Sequence, residues 1–180
     1  MPVSEDRKFT AITNPIDQIS SLSCIIGGVC LVAIFALIAA EIIARNFLGI
    51  SLPFSWDFAA YMMGACVFLS AGATLKSGGH VRVTALHDYL PPEGQRLLDA
   101  VACLIGLAIA LVILYAVSDM AMLSFKRGST SSSVVRTPLW IPQAFMVVGA
   151  LVFTLQMAAQ VLRTVGGETL HNDADIEDQL

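Results

Sequence analysis

Charged residues are scarce in this sequence, and four long stretches contain none. Asp, Glu, Lys and Arg make up 13% of the 180 residues, whereas an ordinary soluble domain has about 25%. The composition therefore disfavours a soluble globular protein. The net charge of −4 identifies no partner, and no nucleic acid is predicted. Most acids lie near the chain ends, which we expect to be solvated. These acids are Glu5, Asp6, Asp17, Glu168, Asp173, Asp175, Glu177 and Asp178.

The uncharged stretches also lack the groups that bind ions, solutes or haem inside a membrane. Transporters usually keep an ionisable residue or a broken helix near the middle of the bilayer, and haem needs axial ligands at that depth. His80, His87 and His171 all lie outside the uncharged stretches. No zinc-binding histidine pair, glycine-rich phosphate loop or serine-nucleophile motif occurs either. We therefore predict that the protein is not an enzyme and holds no cofactor or metal.

Cysteine pairs with redox or metal-binding spacing are absent as well. Cys24, Cys30, Cys66 and Cys103 all fall within apolar stretches, and no two have such a spacing. We expect these thiols to be free and to act as small, buried hydrophobic side chains.

What the sequence does contain is four apolar stretches, each long enough to cross a membrane. The hydrophobic fraction is 56%. About 18 or more apolar residues at 1.5 Å per residue match a bilayer core of about 30 Å. Inside lipid each span must be helical to satisfy its backbone. We predict an all-α membrane protein with four transmembrane helices, at about residues 21–45, 55–76, 96–122 and 139–163.

Polar segments flank and interrupt these spans. Residues 1–20 are interpreted as a polar leader and residues 164–180 as an acidic C-terminal tail. Residues 80–90 are too short to cross a bilayer, but their apolar side chains fall on one helical face. A short helix lying in the membrane interface is therefore predicted between the second and third spans.

Charged and aromatic residues mark the ends of the spans. Glu41 and Arg45 are four residues apart with the acid first, which is the favourable order for an ion pair on a helix. They form either a local pair that shields both charges or a contact with another protein. Trp56 and Trp140 fit aromatic anchors at the interface. Asp57, beside Trp56, lies where the dipole of the second helix favours an acid.

Small residues recur every four positions in two of the spans. Ala60 and Gly64 form one such stripe, and Ala102, Gly106 and Ala110 form the other. Small side chains let helix backbones approach closely, and positions that face lipid do not require them. The stripes serve either packing within the protein or packing against a partner.

The distribution of basic residues favours a cytoplasmic location for both termini. Six basic residues lie on the side of the termini and four on the opposite side. The first set is Arg7, Lys8, Lys76, Arg82, Arg96 and Arg163, and the second is Arg45, Lys126, Arg127 and Arg136.

Further short motifs occur at the ends of the second and fourth spans. The second span closes on Gly-His-Val-Arg-Val at Gly79–Val83, and it contains Phe-Leu-Ser-Ala at Phe68–Ala71. The segment before the fourth span holds Ser131–Ser133 and the sequence Pro-Leu-Trp-Ile-Pro at Pro138–Pro142. Along the chain, these motifs come after the Glu41–Arg45 pair and after Trp56 and Asp57.

In that order, the motifs resemble the small membrane subunit (Q-type, DctQ-like) of tripartite ATP-independent periplasmic (TRAP) transporters. The resemblance covers about residues 22–163, and the Gly-His motif in a four-span context is its most specific part. Two positions depart from the family pattern. Phe58 stands where members often have a second acid, and Ser70 replaces a usual glycine.

The resemblance implies a role in transport. In that family a large permease subunit carries the substrate and sodium sites, a periplasmic binding protein delivers an organic acid anion, and the small subunit packs beside the large one. The chain would then be a multi-pass accessory subunit of a sodium symporter in the bacterial inner membrane. The candidate contacts with the large subunit or the lipid interface are Glu41, Arg45, Trp56, Asp57, His80, Arg82 and Trp140.

Two other functions stay open from the sequence. One is a self-sufficient small transporter, formed by several copies of the chain, which would need a functional polar group such as Glu41, the deepest acid. The other is a four-span structural or signalling protein unrelated to transport.

Overall fold

Four long helices make up this computed structural model, which describes residues 6–77, 92–133 and 135–165. Each contains a stretch that is long and apolar enough to cross a membrane. The predicted all-α fold with four spans is therefore confirmed. The helices are α1 (Asp6–Ile43), which continues as a π-helical turn (Ala44–Leu48), α2 (Ser55–Lys76), α3 (Pro92–Arg127) and α4 (Trp140–Val165).

Two helices extend beyond the predicted spans. α1 begins at Asp6 and not near residue 21, and α3 continues to Arg127, past the predicted end at residue 122. The 38 residues of α1 extend over about 57 Å at 1.5 Å per residue, nearly twice the thickness of a hydrocarbon core. The first turns of α1 therefore stand outside the hydrocarbon layer. The interfacial helix predicted at residues 80–90 lies outside the described residues.

α4 is the central helix of the described structure. It packs against α1, α2 and α3, whereas α3 packs extensively against α4 alone. Consistent with this arrangement, 39% of the apolar stretch of α4 is buried, against 6% for α3. A short loop joins α1 to α2 and makes them antiparallel. α2 runs parallel to α4, and α3 runs antiparallel to it.

Glycines bring the helix backbones into direct contact at two crossings. A Cβ on Gly149 of α4 would lie 2.5 Å from the backbone carbon of Phe68 on α2. A Cβ on Gly27 of α1 would lie 3.2 Å from the carbonyl oxygen of Cys66, also on α2. At Gly149 any side chain would collide with the backbone of α2, and at Gly27 it would crowd the carbonyl of Cys66 and the hydroxyl of Ser70. α2 is therefore held closely between α1 and α4.

The predicted stripes of small residues coincide with the helix contacts only in part. Gly64 faces Met146, Gly106 faces Met157, and Ala110 is fully buried against α4. Ala60 and Ala102, which the four-residue spacing placed in the same stripes, are exposed instead. Because the helices cross at an angle, a contact line leaves a straight stripe after two or three turns. The four cysteines are free and half-buried.

Candidate functional site at the two ends of the helices

A cluster of polar side chains connects α1 to α4 at the end of the bundle where these helices begin and end, respectively. Arg163 donates a hydrogen bond from Nη2 to Oδ2 of Asp17 at 2.5 Å. Gln156 donates from Nε2 to the other carboxylate oxygen, Oδ1, at 2.9 Å. Both charged side chains are about five-sixths buried, with 17% of each exposed. The Asp17 carboxylate therefore holds two residues of α4, one in its last turn and one about two and a half turns before its C-terminus.

The same cluster reaches into the packed interior through Ser20. Its hydroxyl donates to Oε1 of Gln156 at 2.8 Å, and both side chains are completely buried. A Cβ on Gly72 of α2 would lie 3.3 Å from this hydroxyl, so α2 closes over the hydrogen bond. Both ends of the Gln156 amide are thus bonded, as a buried amide requires. We call Asp17, Ser20, Gln156 and Arg163 the terminal cluster.

The terminal cluster corrects one prediction from the sequence. Asp17 was expected to be solvated with the other acids near the chain ends, and that expectation is wrong. Because α1 begins at Asp6, Asp17 lies well inside a helix, on the face that packs against α4. The signal that could have revealed the pair is the occurrence of opposite charges, Asp17 and Arg163, at the same end of two neighbouring spans.

A second polar cluster stabilises the turn between α1 and α2 at the opposite end of the bundle. Glu41 accepts three hydrogen bonds, from Arg45 Nη2 at 2.6 Å, Ser51 Oγ at 3.0 Å and the backbone N–H of Leu52 at 2.7 Å. The π-helical turn widens the end of α1 and leads the chain back toward this carboxylate. We call these four residues the turn cluster.

The turn cluster shows that Glu41 and Arg45 form a local pair. Glu41 is buried and its carboxylate is occupied by its own chain, whereas 55% of the Arg45 side chain is exposed. Arg45 thus has a free surface in the described structure that Glu41 does not have. A contact between either residue and a partner protein stays a prediction.

The loop between α3 and α4 packs against the start of α2 through Asp57. Ser131 donates from Oγ to Oδ2 of Asp57 at 3.2 Å. The loop is itself folded back, with the N–H of Ser131 bonded to the carbonyl oxygen of Thr137 at 2.9 Å. Ser131 and Ser133 are also joined through their hydroxyls. Asp57 therefore connects this loop to the first turn of α2.

The two tryptophans lie at the same end of the bundle as the turn cluster and are exposed to different degrees. Trp56 is 72% exposed at the first turn of α2. Trp140 is half-covered at the first turn of α4, where its ring meets the edge of Phe125 with the centroids 5.6 Å apart. Both positions suit aromatic rings at a membrane interface. Two other candidate contact residues, His80 and Arg82, lie outside the described residues.

The polar side chains described above form hydrogen bonds and ion pairs that join helices and loops of the same chain. No group of three His, Cys, Asp or Glu side chains that could hold a metal occurs among the residues that the structure describes. The middle of each span contains no Asp, Glu, Lys, Arg or His in the sequence. The fold and the two clusters define a class: small multi-span helical membrane proteins whose polar groups stabilise their own helix packing.

The comparisons with known proteins identify the family within this class. The family model for the DctQ component of tripartite ATP-independent periplasmic transporters matches residues 34–167, well over half of the chain. The chain belongs to this family and is a small subunit of a TRAP transporter. It is also similar to the ectoine TRAP transporter small permease protein TeaB of Halomonas elongata. The two are 24% identical over 135 residues, which cover 73% of this chain and 70% of TeaB.

Proposed function

We propose that this chain is an accessory subunit that packs beside the large permease of a sodium-coupled TRAP importer and supports it in the bilayer. Under this proposal the large permease carries the sodium and substrate sites. A periplasmic binding protein delivers the substrate, an organic acid anion. The chain itself contributes assembly and stability but no step of the transport reaction.

This proposal rests on one observation: the ionisable groups near the membrane ends are bonded to other residues of the same chain. Asp17 is bonded to Arg163, Glu41 to Arg45, and Asp57 to Ser131. None of these groups lies in the middle of a span, where a transported ion or solute would be bound. A protein with such helices contributes to transport through its contacts with a neighbouring subunit.

The exposed helix faces offer surface for such a neighbour. α3 contacts α4 on one side, and large apolar side chains such as Leu104, Val112 and Tyr115 are exposed elsewhere on it. Bare apolar surface fits lipid or another membrane protein equally well. The membership of the chain in a tripartite family favours the large permease for part of this surface.

The proposed placement is the inner membrane with both termini in the cytoplasm. The end that carries Arg45, Trp56, Asp57 and Trp140 then faces the periplasm. These residues, together with His80 and Arg82, are the proposed contacts with the large subunit or the lipid interface. The name of TeaB assigns ectoine to that transporter; the substrate here is decided by the large permease and the binding protein.

Reconstitution tests the proposal directly. The large permease is placed in proteoliposomes with and without this subunit, the binding protein is added, and uptake of a labelled organic acid is driven by an inward sodium gradient. We expect the small subunit to raise the rate and the recovery of active permease. Equal rate and stability without it would contradict the supporting role. Uptake by this chain alone would favour the self-sufficient transporter.

One substitution separates these two functions further. Glu41→Gln removes the charge that pairs with Arg45 in the turn cluster. We expect a lower yield of complex with unchanged substrate affinity in the complex that remains. A self-sufficient transporter that uses Glu41 for binding predicts the opposite: lost binding with intact assembly. Asp119→Asn, at an exposed position on α3, is the matched control.

A further inference from the structure

An open groove lies between the first turns of the apolar part of α1 and the C-terminal end of α2. Its volume is about 450 Å³. Asn14, Gln18 and Ser21 line it from α1, and Lys76 lines it from the last residue of α2. Leu22 and Ile25 continue its wall toward the middle of the membrane.

The lining changes from polar to apolar in the direction of increasing membrane depth. At 1.5 Å per residue, residues 14–21 of α1 extend over about 10 Å of polar wall. Leu22 and Ile25 then follow, and both are more than half exposed. A groove with a polar part at the interface and an apolar part inside matches the polarity of a lipid headgroup and the first part of one acyl chain.

The charge distribution in the groove favours an anionic headgroup. Lys76 is exposed, and its Nζ donates to the Ser21 hydroxyl at 3.2 Å. Asp17 also lines the groove, but its two carboxylate oxygens are bonded to Arg163 and Gln156 in the terminal cluster. Among the described residues, no carboxylate forms an ion pair with Lys76, and its ammonium has three N–H donors, of which one is bonded to Ser21.

We propose that this groove binds one phospholipid. Lys76 holds the phosphate, the amides of Asn14 and Gln18 hydrogen-bond the headgroup, and an acyl chain lies along Leu22 and Ile25. The Ser21 hydroxyl positions the Lys76 ammonium, because it accepts from Lys76 and donates its own proton to the backbone carbonyl of Asp17 at 2.9 Å. The lipid fills the gap between α1 and α2 beside the terminal cluster. This proposal does not depend on the transport role, because it uses only residues of this chain.

Native mass spectrometry of the purified full-length chain in mild detergent tests the proposal. Phosphatidylglycerol is titrated against the wild type, Lys76→Gln and the matched control Lys126→Gln, which removes an exposed lysine at the opposite end of the bundle. We expect one tightly retained phospholipid. Lys76→Gln should weaken it by about fivefold, the effect of one lysine near an anionic lipid surface, and Lys126→Gln should leave it unchanged. Diacylglycerol, which has the same chains without phosphate, should not be retained.

A second variant tests the apolar half of the groove and does not change the charge. Ile25→Trp places a larger side chain on the groove wall and should reduce retention, while circular dichroism reports an unchanged helix content. Equal binding to wild type and Lys76→Gln, or equal losses from the two lysine variants, would overturn the proposal. Displacement by free inorganic phosphate would overturn it as well, because the site would then bind a soluble anion and not a lipid. Recovery of the complex with the large permease is measured separately and reports on the proposed function alone.

Discussion

The guanidinium of Arg163 and the carboxylate of Asp17 lie 2.5 Å apart, although 146 residues separate them in the chain. The pair joins the beginning of the first span to the end of the last. The buried amide of Gln156 bonds the same carboxylate, so the contact is a small network and not an isolated surface pair. Its position at the membrane end suggests that it aligns α1 with the central helix α4.

Removing the charge of Asp17 should destabilise the helix packing. Asp17→Asn leaves Arg163 partly buried without its counter-ion, and we expect a loss of about 1 kcal/mol or somewhat more in the free energy of unfolding. Unfolding of the purified protein in mixed micelles with increasing denaturing detergent measures this loss. Asp119→Asn, which changes an exposed acid, is the control.

A double variant shows whether the effect belongs to this pair. Asp17→Asn combined with Arg163→Gln should cost less than the sum of the two single substitutions, because the second removes a partner that has already been lost. Strict additivity of the two costs would argue against a coupled pair.

The crossing of α2 and α4 should not tolerate a methyl group at Gly149. A Cβ there would lie 2.5 Å from the backbone of Phe68, so Gly149→Ala forces the helices apart. We expect a destabilisation of about 1–3 kcal/mol, typical of overpacking. The same unfolding measurement applies.

Gly28→Ala is the matched control for this change. No atom lies within 4 Å of a Cβ at Gly28, and alanine favours a helix over glycine by about 1 kcal/mol. This variant should be neutral or slightly more stable. A similar loss at both positions would show that Gly149 does not mark a close crossing.

The candidate contact residues Arg45, Trp56 and Arg82 should act through assembly. We expect Arg45→Ala, Trp56→Ala and Arg82→Ala to lower the amount of large permease that co-purifies with this subunit, before any change in substrate affinity. Trp56 is 72% exposed, and aromatic and arginine side chains dominate many interfaces. Affinity purification from membranes, quantified against the wild type, gives the result. Unchanged recovery of all three variants would reject the contact assignment.

The orientation predicted from basic residues can be measured with single cysteines. Ser132 lies in the α3–α4 loop and Ser77 directly after α2, and both are exposed. With both termini in the cytoplasm, Ser132→Cys should react with a membrane-impermeant maleimide in intact cells, and Ser77→Cys should react only after lysis. The wild type, whose four cysteines are half-buried within the helices, reports the background. The reverse pattern would invert the topology.

The features that were predicted correctly from the sequence each depend on one short, continuous segment of the chain. Four apolar stretches predict four membrane helices because the length and polarity of each are properties of a continuous segment. The Glu41–Arg45 pair could also be predicted from the sequence, since residues four apart share a helix face. The hydrogen bonds that Ser51 and Leu52 donate to Glu41 could not be predicted. They depend on the path of the turn that follows the π-helical end of α1.

The contacts of the terminal cluster could not be predicted from the sequence. Asp17 lies in a polar segment that resembles a solvated leader, and Gln156 is one polar residue in an apolar run. Nothing local indicates that Ser20 meets Gln156, since 136 residues separate them. Of the stripe containing Ala102, Gly106 and Ala110, the last two contact or are buried against α4 and Ala102 is exposed, because the crossing angle with α4 is not encoded by spacing alone.

The sequence by itself determined that this protein crosses the membrane four times and has no Asp, Glu, Lys, Arg or His in the middle of any span. Both facts follow from the transfer free energy of continuous segments between water and lipid. Only the tertiary structure decided that α4 is central among the described helices, that α3 packs extensively on no other described helix and that Asp17 pairs with Arg163. These relationships depend on which helix faces meet, and between apolar helices in lipid that choice is set by close packing and a few hydrogen bonds, which act between residues far apart in the chain.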